Sequence, residues 1–380
     1  MKTKSYLFAA ASATLMLASC TQNEVVEMPA TRAIGFGTYV GNTSRAVPET
    51  TVEFLQDAGN GFYVFGSYID DASREVVVFD GKTPGSHVTS SGSTGKPAWG
   101  YSPINYWSVG KDYKFVAYGP AKANGNGSAS FTYADNTLSI AGFTANGDLD
   151  LVVAEGREGG YKLETPTSDS PVIDFKFFHA LSKVRFTLVN GWRNLVILTV
   201  KDVKVSGLSK SATLKTPGTL ANAANPATIE ASNWTAYSDK DGAYEWTEEF
   251  VAEAYGVTSN DKIVDKTVTK DANIRYEYFM MPQTLTAEAV ILTFKCQVVT
   301  DKGSNVLKDI PNYPLDAEGF ATVTVKLPVN PVPAWLPGTA YNYTLTINGD
   351  IFGLKPIQFN KVDVTAWDTP TESNPKPENP

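Results

Sequence analysis

What most constrains the fold of this chain is a two-residue alternation of apolar and polar side chains, recurring over most of its length without a rival helical periodicity. Phe62, Val64 and Gly66 alternate with Tyr63, Phe65 and Ser67, and Tyr113, Phe115 and Ala117 alternate with Lys114, Val116 and Tyr118. Further on, Val184, Phe186 and Leu188 face away from Lys183, Arg185 and Thr187, and Tyr341, Tyr343, Leu345 and Ile347 form another such face. Successive side chains of a strand point to opposite sides, so the pattern predicts strands with one face in a core. Clusters such as Asn124-Gly125-Asn126-Gly127, Asn146-Gly147-Asp148 and Asp239-Lys240-Asp241-Gly242 supply the positive φ angles and side-chain bonds of turns. Many short strands with this punctuation predict an all-β chain of sandwich or barrel domains.

At 380 residues the chain exceeds one ordinary domain, and two are expected. The polar, proline-bearing stretch Glu164-Thr165-Pro166-Thr167-Ser168-Asp169-Ser170-Pro171 is the best boundary. It divides the body into an N-terminal domain over 46–168 and a C-terminal domain over 169–368. Residues 221–233, rich in Ala and Asn, read as a long loop, and the tail 369–380, with four prolines, reads as extended or disordered. A hydrophobic content of 42% suffices for real cores, whereas a net charge of −8 disfavours a phosphate-backbone partner, so nucleic acid is excluded.

The first twenty residues are an export leader. Lys2 and Lys4 precede an apolar, small-residue run from Tyr6 to Leu17, too short to span a bilayer. It ends in Leu17-Ala18-Ser19-Cys20, which resembles the lipobox of bacterial lipoproteins, with Cys20 as the acylated first residue of the mature chain. The following Thr21-Gln22 lacks the Asp that favours inner-membrane retention, so the resemblance implies delivery to the outer membrane. Residues 21–31 read as a tether. The second cysteine, Cys296, shares a strand face with Leu292, Phe294 and Val298 and is expected to be a buried core thiol.

Searches for chemistry end without an enzyme signature. Gly81-Lys82-Thr83 lacks the first glycine of a phosphate-binding loop, since Val76 stands there. Asp239-Lys240-Asp241-Gly242 lacks calcium-ligand spacing. With His87 and His179 the only histidines, a His-rich metal site or a Ser-His-Asp arrangement has little to draw on. Glu248-Glu249 and the pair Glu155 and Glu158 read as solvated carboxylates. No catalytic residue, metal or cofactor is expected. Tyr101, Tyr106, Trp107 and Tyr113 could stack on sugar rings, although packing explains them better.

Several segments together resemble the fimbrillin family, the subunits of type V pili. They are the lipobox; Ile34-Gly35-Phe36 leading to Ser44-Arg45-Ala46; Asn105-Tyr106-Trp107 followed by Tyr113-Lys114-Phe115-Val116-Ala117-Tyr118; Phe178-His179-Ala180-Leu181-Ser182-Lys183-Val184-Arg185-Phe186; Met281-Pro282-Gln283; and Trp335-Leu336-Pro337-Gly338 before Tyr341-Asn342-Tyr343-Thr344-Leu345. The resemblance implies two transthyretin-like β-sandwich domains in tandem, export as an outer-membrane lipoprotein precursor, and proteolysis after an arginine that removes the first strand. Carried to this chain, cleavage falls at Arg45-Ala46, making 21–45 a tether and removable strand. Arg32-Ala33 is a second such dipeptide, but only cleavage after Arg45 removes Ile34–Val40. In the family's assembly scheme another subunit's strand, commonly the C-terminal one, fills the vacated groove.

The C-terminal run offers Ile357, Phe359, Val362, Val364 and Trp367 as donor candidates. Its apolar phase flips near Asn360-Lys361, with Ile357 and Phe359 at odd positions and Val362 and Val364 at even ones. The sequence is compatible with packing at home and with donation. The expected function is a structural or adhesive fimbrial subunit at the cell surface, with other fimbrial subunits as partners, membrane lipid through Cys20 before maturation, and a host protein or glycan as possible ligand. The alternative is a glycan-binding outer-membrane surface lipoprotein, and a hydrolase ranks last.

Overall fold

The computed structural model describes residues 32–40, 52–57, 60–92, 98–126, 129–134, 137–156, 160–191, 196–217, 229–246, 249–253, 268–269, 273–287, 289–300, 303–308, 314–348 and 361–366. Its first half runs through β1 (Gly35–Val40), a short helix α1 (Val52–Gln56), β2 (Phe62–Ile69), β3 (Glu75–Asp80), β4 (His87–Ser90), β5 (Trp99–Gly100) and β6 (Asp112–Gly119). It continues with β7 (Ser130–Ala134), β8 (Thr137–Thr144), β9 (Val152–Glu155), β10 (Tyr161–Lys162) and β11 (Val172–His179). Nine of these form one sheet in the order β1-β11-β9-β6-β2-β4-β5, with β3 also on β2 and β10 also on β6.

One face of that sheet carries Phe62 and Val64, Phe115 and Ala117, Val152 and Ala154, and Ile173, Phe175 and Phe177 into a core. These are the apolar positions of the alternation. Phe65, Val116 and Tyr118, which the alternation assigned to the opposite side, are buried as well. They pack on a second core through β7 and β8, with Tyr118 stacked on Phe131 at 4.1 Å. Central strands covered on both faces lose the polar half of the pattern.

The second half comprises β12 (Ser182–Asn190), β13 (Val196–Leu208), β14 (Ser211–Lys215), β15 (Trp234–Ser238), β16 (Gly242–Trp246), β17 (Phe250–Glu253), β18 (Val268–Thr269) and β19 (Asn273–Met280). Then come β20 (Gln283–Thr284), β21 (Ile291–Thr300), β22 (Ala321–Lys326), β23 (Ala334–Trp335), β24 (Thr339–Ile347) and β25 (Lys361–Ala366). Two sheets, β19-β12-β24-β25 and β18-β17-β13-β21-β22 with β16 on β13, bring their apolar faces into one core. Val184, Phe186, Leu188, Tyr343 and Leu345 come from the first, and Leu198, Val200, Leu292, Phe294 and Val298 from the second. This is the arrangement of a β-sandwich, and each such side chain contributes roughly 1.5–3 kcal/mol on burial.

A further sheet, β15-β14-β8-β7, draws two strands from each half of the chain. The polar stretch 164–171 joins β10 to β11, both strands of the nine-stranded sheet. Trp234 reaches across this sheet, its ring 6.2 Å from that of Phe143 on β8 and its indole N–H donating to the carbonyl of Ala180 at 2.8 Å. Lys183, on the polar side of its strand by alternation, is nonetheless buried. Glu277, which lies opposite Arg185 on the neighbouring strand, supplies the countercharge at 3.4 Å and also accepts from Arg185 Nε at 2.6 Å. Burial of these charges is tolerable because they are paired.

Candidate functional site: an edge-strand groove

The expected first strand is present as β1, at the end of the nine-stranded sheet. It runs parallel to β11, with Gly35 opposite Val172 and Val40 opposite Phe177. Parallel neighbours far apart in sequence need a long crossover, so β1 belongs to the sheet by docking and not by a hairpin.

Its N-terminal end is clamped on the other side by Asn105–Trp107. The amide of Ile34 donates to the carbonyl of Asn105 at 2.9 Å, and that of Trp107 donates to the carbonyl of Arg32 at 3.0 Å. Arg32 Nη2 in turn donates to the Trp107 carbonyl at 3.1 Å. The Tyr101 hydroxyl donates to the carbonyl of Ile34 at 2.9 Å, and burial raises that phenol's pKa to about 12.

Between the two walls, Ile34 and Phe36 point inward and are 2% and 8% exposed. Five rings surround Phe36: Phe175 stacks on it at 5.9 Å, and Phe62, Phe79, Tyr101 and Phe115 meet it edge-on at 5.5–6.4 Å. The glycines between them differ. A Cβ on Gly35 would meet nothing, whereas one on Gly37 would collide with the Asp174 carboxylate. That carboxyl, partly desolvated, has a pKa above its ordinary value. Taken away, β1 would leave a slot with a ring-lined pocket at Phe36, an apolar one at Ile34, and an unpaired edge on β11.

The aromatic cluster considered for sugar stacking is a wall of this groove. Trp107 and Tyr113 are fully buried, and Tyr113 accepts the amide of Ser108 at 2.8 Å. Their faces are covered by neighbouring rings, Trp107 against Tyr113 at 4.8 Å, so they present no platform to a glycan.

The other sequence-predicted residues divide by position. Cys20, Arg45, Ala46, Ile357, Phe359 and Trp367 lie outside the described residues. Val362 and Val364 sit on β25, which pairs antiparallel with β24 at a sheet edge, Val362 opposite Tyr343 and Val364 opposite Tyr341. Val362 packs against the core while Val364 is 49% exposed.

Cys296 is fully buried, and desolvation pushes its thiol up to about 12, a structural thiol as expected. His87 stacks on Tyr63 at 4.9 Å. His179 Nδ1 lies 2.9 Å from Asp150 Oδ2 in a buried pair that sequence reasoning missed; no local spacing signals it, because Asp150 precedes β9 and His179 ends β11. Glu155, read as solvated, is buried at 4% exposure on β9. Among the described residues no group of three or more His, Cys, Asp or Glu side chains could hold a metal ion.

Comparison with known proteins fits this geometry. The Fimbrillin-like family model matches residues 57–367. The fimbrium subunit Fim1C of Phocaeicola vulgatus is 25% identical over 201 residues, which are 48% of this chain and 50% of that protein. The chain thus spans about half the length of the curated relative that it matches. A fimbrial protein from Bacteroides vulgatus ATCC 8482, known from its crystal structure, superposes with a TM-score of 0.54 at 18% identity, over 89% of this chain and 100% of that one. That likeness shows a shared fold, while the family match covers most of the chain, and on it this protein belongs to the fimbrillin-like family.

Proposed function

We propose that this chain is a structural or adhesive subunit of a surface fimbria, exported as an outer-membrane lipoprotein acylated at Cys20, matured by cleavage after Arg45, and polymerised by donor-strand exchange. Its family is one of fimbrial and adhesion proteins, a non-enzymatic class.

The observation that carries the reading is β1 itself. It is a short N-terminal strand, seated at a sheet end in a parallel register, whose Ile34 and Phe36 plug a groove lined by the rest of the fold. The chain reaches the next described element, α1, only after passing Arg45-Ala46. A cut there separates β1 from the body without touching any other described strand.

Removal has a defined cost. Ile34 and Phe36 contribute roughly 3–6 kcal/mol of burial between them, and β11 loses its partner. An exposed strand edge beside apolar pockets is the surface that strand addition satisfies. The groove is at one site on the subunit and any donor at another, so the contact is heterologous, the kind from which an open fibre can be built.

The test is Arg45→Ala. The variant is expected to retain β1, to run longer on a denaturing gel, and to stay monomeric by electron microscopy and sedimentation. Fibres of normal length built from uncut Arg45→Ala subunits would refute strand removal.

A further inference from the structure

Resting on the maturation reading above, we propose that Arg32-Ala33 is a latent second cleavage site for an arginine-specific endopeptidase, closed while β1 is docked and opened only when β1 leaves its groove.

The sequence offers such a protease two equivalent dipeptides, Arg32-Ala33 and Arg45-Ala46. Their consequences differ. Hydrolysis after Arg45 detaches β1 from the body. Hydrolysis after Arg32 in the uncut chain would instead detach the tether with its lipid and leave β1 in place, so that the subunit left the membrane with its groove still filled. Productive maturation requires that Arg32 is not cut first.

The geometry at Arg32 supplies that order. Endopeptidases take up the residues around the scissile bond in extended form, using their backbone groups as a sheet edge does. One specific for arginine also needs the guanidinium free to meet a carboxylate. Both kinds of handle are already engaged here. The carbonyl of Arg32 accepts from the amide of Trp107 at 3.0 Å, and the amide of Ile34 donates to the carbonyl of Asn105 at 2.9 Å, so Ala33 and Tyr106 form an antiparallel bridge beside the bond to be cut. The Ile34 carbonyl accepts from the Tyr101 hydroxyl at 2.9 Å. The Arg32 guanidinium is turned onto the Trp107 carbonyl at 3.1 Å, and its Nε is closed off from solvent. Ile34, the second residue beyond the bond, is 2% exposed.

These contacts are made to the Tyr101–Trp107 segment and to the groove, and they hold only while Ile34 and Phe36 are seated. When β1 leaves, residues 32–34 regain their free backbone groups and the guanidinium together. Cleavage at Arg32 therefore reports the fraction of time that the strand is undocked, because a closed segment is cut only from its open form. The cut adds water across the Arg32–Ala33 peptide bond, leaving a carboxylate on Arg32 and an amine on Ala33. It separates Ile34 and Phe36 from the anchored tether, so the piece 33–45 diffuses away. The groove thereby loses a resident that the tether would have kept at high effective concentration, and departure of β1 becomes one-way.

The experiment uses the full-length Arg45→Ala chain, which keeps β1 attached. It is incubated with an arginine-specific endopeptidase, and the new N-terminus at Ala33 is followed by mass spectrometry in the native chain and in the same chain unfolded beforehand in urea. Native cleavage should be slower by at least about a hundredfold. Ile34→Ala should speed it by at least about tenfold. Tyr101→Phe, which keeps the ring and removes only the hydroxyl, should speed it by about two- to tenfold. Val323→Ala, in the other core, should leave the rate at Arg32 unchanged. A native chain cut at Arg32 as fast as the unfolded one, or acceleration by Val323→Ala equal to that by Ile34→Ala, would overturn the latent site while leaving cleavage after Arg45 standing. Failure of the maturation reading shows elsewhere, as fibres of uncut Arg45→Ala subunits. From the unmutated chain, cleaved and polymerised, the freed strand should be recovered as 33–45, and its recovery only as 21–45 would contradict the second cut.

Discussion

The rings of Phe36 and Phe175 lie nearly parallel, 11° apart in plane with centroids 5.9 Å apart, across the seam where β1 joins β11. This stack is the centre of the contact between β1 and the sheet that it joins. Its loss should be felt only while β1 remains attached. In a chain held uncut by Arg45→Ala, adding Phe36→Ala is expected to lower unfolding stability by about 3 kcal/mol. Urea denaturation measures it, and a change under about 1 kcal/mol would show that Phe36 is not seated as described.

Acylation should depend on Cys20 alone. Cys20→Ala is expected to abolish incorporation of labelled fatty acid and to release the protein from membranes. The other cysteine, Cys296, is enclosed in the sandwich core and cannot substitute. Persistent labelling of the variant would contradict the lipobox assignment.

The turn after β3 should respond to acid. Burial works against the charge of Asp80, but the amides of Thr83 and Lys82 and the hydroxyls of Ser86 and Thr83 outweigh it and hold the carboxyl at about 2, below its ordinary 3.8. A depressed folded-state pKa stabilises the fold above the unfolded value and loses that contribution as the pH falls through the folded one. The same turn brings Gly81 to a φ of +71°, under the Phe65 ring, with its carbonyl accepting from the Tyr118 hydroxyl at 2.8 Å. Asp80→Asn should therefore flatten the decline in melting temperature between pH 4 and about 2. A variant whose pH profile overlays that of the native chain would show that these bonds do not select the ionised carboxylate.

Removing residues 356–380 should impair assembly more than folding. The deletion takes β25, an edge strand with half-buried Val362 and exposed Val364, but leaves the sandwich core of β12, β13, β21 and β24. Cooperative unfolding is expected to persist while fibres disappear. Loss of cooperativity in the truncated monomer would mean that these residues belong to its own core.

The legible part of this fold is what local pattern encodes. Val184, Phe186 and Leu188 lie in the core as their spacing predicts, as do Tyr341, Tyr343 and Leu345, because each strand of that sandwich has one apolar face. A first strand at Ile34–Val40 came instead from the resemblance, and β1 runs over Gly35–Val40. Alternation misassigned Phe65, Val116 and Tyr118, since a strand sandwiched between two cores has no polar face to display. Lys183 and Glu277, or His179 and Asp150, come together only through pairing of strands distant in sequence. Nor could spacing show that β7 and β8 pair with β14, whose sheet draws on both sides of the expected boundary. The presence of a first strand was legible, but not its parallel register or the Asp174 contact.

The central claim is that β1 leaves and that the assembled subunit begins after it. Mass spectrometry of the N-terminal peptide from subunits recovered out of purified fibres tests this most directly. The account predicts a mature chain starting at Ala46, with no peptide containing Ile34 or Phe36. Fibres whose subunits begin at the acylated Cys20 and retain Ile34–Val40 would contradict it.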